Sequence, residues 1–236
     1  MNHRELADSL ISVLGLDRPP VALSFTDARP ADVEVPEAAV PSACTFWRRA
    51  EHGVFYAPAD RHFNCAVGAM TMGFELPAEV EQTLMGLASQ MTDLCYIEGD
   101  EAARLPSTGR RSAGILYGPL AEFPIAPDAI LLWLNARQAM LFNEAAGSVQ
   151  WTGAVPTPLL GRPSCAALPV ALATAGVTLS LGCAGMRTYT AVADDRILAV
   201  CPGGLLPELG ARLARAAQAN VAMDGFYASR LAEFAG

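Results

Sequence analysis

The chain has 236 residues, 52% of them hydrophobic and 17% charged, which is enough apolar material for a sizeable core and sets disorder aside. Its formal net charge of -8, with sixteen arginines and no lysine, lacks the basic stripe of a nucleic-acid binder. Residues 1–16 mix polar with apolar side chains and no stretch reaches the length of a membrane span, so no signal peptide and no membrane partner are expected, and the expected compartment is the cytoplasm.

In chain order, apolar residues at helical spacing predict a helix over 5–14, and Pro19-Pro20 introduces a strand over 21–25. Residues 27–41, rich in Pro, Ala and acids, read as a loop, 43–50 as a short helix and 54–56 as a strand. A helix opens at Cys65 and runs to Met72. A longer one follows Pro77, and its face of Val80, Leu84, Leu87 and Met91 reads as core. After an arginine-bearing loop over 105–114 come strands over 114–117 and 129–134, the latter apolar on both faces and therefore central. Helices over 136–146 and 165–175, strands over 177–181 and 196–200, and amphipathic helices over 207–218 and 223–234 complete the chain. The expected fold class is α/β, or α+β, in a single domain over 1–236 around a central mixed sheet, with no linker long enough to divide it.

An internal echo organises the chemistry. Pro41-Ser42-Ala43-Cys44, then Gly53-Val54, then Cys65-Ala66-Val67-Gly68-Ala69-Met70 is answered by Pro163-Ser164-Cys165, then Gly176-Val177, then Cys183-Ala184-Gly185-Met186. The paired cysteines are 21 and 18 residues apart, and duplication of a unit with halves near 19–75 and 127–202 is the simplest reading. Pairing of the halves about a pseudo-twofold axis would bring Cys44, Cys65, Cys165 and Cys183 to one site. Four facing thiols suit an iron-sulfur cluster or zinc, because repulsion among thiolates needs a cation to relieve it. Cys65 and Cys183 also open helices, where the dipole favours the anionic sulfur. No C-x-x-C occurs, so the spacing is neither that of a zinc ribbon nor that of a bacterial ferredoxin. The competing reading is that these are small buried hydrophobes in an alanine-rich core, which is the reading preferred for Cys95 and Cys201.

His62, three residues before Cys65, is a candidate ligand-binding group or electrostatic partner of a thiolate, against the plainer reading of a solvated loop histidine. Arg187, four residues after Cys183, is a candidate for holding a small anionic substrate or a cluster sulfur, against that of an exposed ion pair. No G-x-G-x-x-G, Walker A, G-x-S-x-G or H-E-x-x-H pattern is present, so the commonest nucleotide, hydrolase and metalloprotease classes are not indicated.

Cys44 with Phe46 and Trp47, Asn64-Cys65-Ala66-Val67-Gly68 with Gly73 beyond it, and Gly182-Cys183-Ala184-Gly185-Met186-Arg187 resemble the domain of unknown function 169 family of bacteria and archaea, over nearly the whole chain. The resemblance implies no reaction. It supports a shared site for Cys44, Cys65 and Cys183, whereas Cys165 rests on the repeat alone. The functional expectation is a 4Fe-4S cluster held by Cys44, Cys65 and Cys183, with Cys165 as fourth ligand or neighbouring thiol. Four thiolates point to an electron-transfer partner or to sensing, and three leave an iron open to a small-molecule ligand, the option the family likeness favours. The alternatives are a metal-free thiol enzyme using Cys65 or Cys183, and a module that binds a small ligand without chemistry.

Overall fold

The computed structural model describes residues 2–146 and 157–235. Residues 147–156, within the second proposed half, lie outside the described part. Helix α1, His3–Leu14, begins at an Asn2–Glu5 capping box and stops at Gly15 in the left-handed region (φ 64°). It leads into β1, Val21–Thr26, followed by α2, Ala43–Arg49, β2, Phe55–Pro58, α3, Ala66–Thr71, α4, Ala78–Asp93, and β3, Gly114–Pro119. The second half supplies β4, Ala129–Leu134, α5, Ala136–Ala145, β5, Leu159–Leu160, α6, Ala167–Thr174, β6, Thr178–Ser180, α7, Ala184–Thr190, β7, Ile197–Pro202, and α8, Leu206–Glu233.

The strands form one seven-stranded sheet in the order β2-β3-β1-β4-β7-β6-β5. Every pair is antiparallel except β5 with β6, so the sheet is mixed. The order is the same read outward from the β1–β4 junction, β1, β3, β2 on one side and β4, β7, β6 on the other. β5 lies beyond β6 at the edge, and in each half a helix leads to the third strand out from the junction, with a short helix after it. These are α2, β2, α3 and α6, β6, α7.

Alternation along the strands divides the core in two. Val21, Leu23, Ile115, Tyr117, Ala129, Leu131, Trp133, Leu198 and Val200 face the layer that holds α2, α3, α6 and α7. Ala22, Leu116, Ile130, Leu132, Leu134, Ala199 and Cys201 face α1, α5 and α8. The central strand β4 is buried at all six positions, which is why its sequence is apolar on both faces.

Three sequence expectations change. Helix α4 has no buried residue, and Leu87 is exposed while Val80, Leu84 and Met91 are half-buried, so the face read as core is not core. Periodicity identifies an apolar face and not what covers it, and α4 packs mainly on the short α3. The two C-terminal helices are one continuous helix, α8, because residues 219–222 (Ala-Asn-Val-Ala) interrupt the apolar stripe without breaking the backbone. His62, for which a solvated loop is the plainer of the two sequence readings, is 1% exposed. No described helix is long and apolar enough to cross a membrane.

Candidate functional site

The four repeat cysteines come from four segments on the same side of the sheet. Cys44 lies in the first turn of α2 and Cys65 is the N-cap residue of α3. Cys165 lies in the 3-10 turn Ser164–Ala166 before α6, and Cys183 is the N-cap residue of α7. The segments pack across the two halves, α2 against α7 and α3 against the Cys165 turn. Cys44 and Cys165 are buried and belong to the core, while Cys65 and Cys183 are half-buried at its rim.

Electrostatics ties the set together. Burial pushes the Cys44 thiol well above the usual range, and Cys165, Cys183 and Cys65, in that order, push it further. Burial pushes the Cys165 thiol up to about 12, with the Thr71 hydroxyl drawing it back and Cys65 and Cys183 adding to the rise. Cys65 and Cys183 act on both buried thiols, so the four cysteines lie near one another on this side of the sheet. Cys201 lies apart, in the core layer on the opposite side of the sheet, and Cys95 is exposed beyond α4.

Local packing fixes this arrangement. A Cβ at Gly68 would come within 2.8 Å of Ala43 Cβ and 3.1 Å of Cys65 Sγ, so only glycine lets α3 approach α2 beside that sulfur. Gly182 turns the chain into Cys183 at φ +88°, where a side chain would also strike Met186. The Cys183 sulfur accepts hydrogen bonds from the Ser164 hydroxyl at 3.3 Å and the Met186 N–H at 3.4 Å. Trp47 lies one turn along α2 from Cys44, and its buried Nε1–H has no acceptor among the described residues.

The two other sequence candidates lie around this set. His62 sits in the 3-10 turn Ala59–His62, enclosed by Phe46 and Phe74, with ring centroids 4.9 and 4.8 Å away. Burial lowers its pKa to about 4, so the ring is neutral. It bonds Tyr117, whose phenol burial holds well above its ordinary range, with Cys44 adding to the effect. Arg187 joins backbone on both sides of α7, donating to the carbonyls of Leu181 (2.6 Å), Arg196 (3.1 Å) and Ala193 (3.2 Å). Its fork therefore fastens the segment that carries Cys183.

Among the described residues, no group of three or more His, Cys, Asp and Glu is placed so that it could hold a metal ion. The sulfurs as arranged are thus not the tight cage of a structural zinc, which needs Zn–S distances of about 2.3 Å. Ser164, Thr71, Gly68 and Tyr117 are the site residues that sequence reasoning missed. The repeated Pro-Ser before a cysteine was a signal for Ser164, and nothing local marked Thr71 or Tyr117.

The family model for domain of unknown function 169, described as uncharacterised ArCR, matches residues 9–212. The chain belongs to this family. The matched region contains all four repeat cysteines, His62 and Arg187. No curated protein and no solved structure matches the chain.

Proposed function

We propose that this family member is an iron-sulfur protein that holds a 4Fe-4S cluster between its two halves on Cys44, Cys65, Cys183 and Cys165. The observation that carries the reading is the approach of two cysteines from each half to one another, where Cys165, Cys183 and Cys65 all raise the Cys44 thiol. A cation-rich cluster relieves that repulsion, and thiolate sulfur is its natural ligand. In such a cluster each thiolate binds a different iron, so the sulfurs stand further apart than around one ion. The fit extends to the surroundings. Trp47 Nε1–H, buried one turn from Cys44 without an acceptor among the described residues, would find one in a cluster sulfide.

With Cys165 in the set the cluster is saturated, which favours one-electron transfer to a partner, or redox sensing, over Lewis-acid chemistry on a small anion. Arg187 supports the same choice, since its guanidinium is occupied by backbone carbonyls. Its role is to position Cys183.

Anaerobic purification tests the reading. A brown protein with broad visible absorption, iron and sulfide in equal and near-stoichiometric amounts, and a spectrum indifferent to added anions is the expected result. A second reading, a metal-free thiol protein, has one observation in its favour. The half-buried Cys183 sulfur accepts two hydrogen bonds, an environment that suits a nucleophilic thiolate. A colourless protein that takes up no iron and sulfide, with Cys183 readily alkylated, would establish that alternative.

A further inference from the structure

The two halves treat their serines differently. Ser42 and Ser164 occupy equivalent places in the repeat, each one or two residues before the deeper cysteine of its half, and both are buried. Ser42 pairs with Thr45 of its own helix, the two hydroxyl oxygens 3.1 Å apart. Ser164, fully buried, instead donates to the sulfur of Cys183, 19 residues further on. The Met186 N–H adds a second donor to that sulfur. Cys65, its counterpart in the first half, has no side-chain cap bond at its helix start.

We propose that Ser164 is the residue that sets the electron affinity of the site, by hydrogen-bonding Cys183 and so making the second half the side on which added negative charge is best stabilised. The inference rests on the cluster reading. Reduction adds one electron, and with it one unit of negative charge spread over iron and sulfur. A donor fixed on a ligand sulfur stabilises the reduced form more than the oxidised form, which raises the reduction potential. Ser164 touches the ligand and not a reactant, so it is a positioning residue. Ser42, turned to Thr45, has no such effect.

The test is a redox titration of the anaerobically loaded full chain with dithionite, in Ser164→Ala, Ser164→Thr and Ser42→Ala, after iron and sulfide have been measured in each. Serine to alanine removes one oxygen and preserves shape, so loading should stay at the wild-type level. The expected result is a more negative midpoint in Ser164→Ala, with Ser164→Thr and Ser42→Ala close to wild type. A loaded Ser164→Ala protein with an unmoved midpoint, or an equal shift in Ser42→Ala, overturns the inference and leaves the cluster reading standing. If the wild type takes up no cluster, the cluster reading fails, and the inference that rests on it falls with it.

Discussion

The Nε2 atom of His62 lies 3.0 Å from the Tyr117 hydroxyl, and its Nδ1 lies 3.0 Å from the Pro58 carbonyl. A carbonyl only accepts, so Nδ1 carries the proton and Nε2 accepts from Tyr117, which fixes a neutral imidazole between Phe46 and Phe74. The native pKa of about 4 lies below the unfolded value of about 6.5, so the unfolded chain binds the extra proton first. The stability that His62 contributes is complete above pH 6.5 and falls as pH drops through the interval down to about 4, by about 3 kcal/mol in all. Urea titrations at pH 7 and pH 4.5 should show this loss in the wild type and a smaller one in His62→Gln. Equal losses in both proteins would remove His62 from the acid response.

Gly68→Ala puts a methyl group 2.8 Å from Ala43 Cβ and 3.1 Å from Cys65 Sγ. Neither neighbour has a flexible end that can yield, so α3 must move off α2. The expected cost is about 1–3 kcal/mol, as for other overpacked cores, together with reduced iron uptake. Denaturant midpoints and iron analysis check both parts, and wild-type values for both would mean that the close approach of α2 and α3 does not matter to the site.

Arg187→Lys retains the charge and loses the planar fork that reaches three carbonyls. Water can reach the freed carbonyls, so the loss is that of a net hydrogen bond, about 0.5–1.5 kcal/mol of stability, together with a weaker hold on iron. Arg187→Ala should do the same or worse. If both variants match the wild type in thermal midpoint and iron content, the arginine is only a surface charge.

The sheet was legible where side-chain alternation or continuous apolar character left a direct trace. Residues 129–134 announce a central strand because β4 is covered on both faces, and Pro19-Pro20 marks the entry to β1. β5 left no trace, being two residues long and held mainly by pairing with β6. The cysteines were marked in the sequence by the repeat, and the strand order also reads alike outward from the β1–β4 junction. What surrounds them was not. Phe46 and Phe74 bury His62 from two separate elements, and Ser164 reaches Cys183 across the α6–β6 unit. Such contacts are properties of packing between segments and leave no pattern in any one of them. The exposed face of α4 makes the converse point, since its helical spacing is present and its covering is not.

The central claim is that both halves supply ligands to one cluster, and iron content across single cysteine-to-alanine variants tests it most directly. Each of the six proteins is loaded anaerobically with iron and sulfide, desalted, and assayed for both per folded chain. The account predicts that Cys44→Ala, Cys65→Ala, Cys165→Ala and Cys183→Ala lose most of their iron, because each removes a thiolate ligand. Cys95→Ala and Cys201→Ala should keep it, since Cys95 is exposed and Cys201 lies on the opposite side of the sheet. Loss confined to the cysteines of one half, or full retention in all six, would contradict the account.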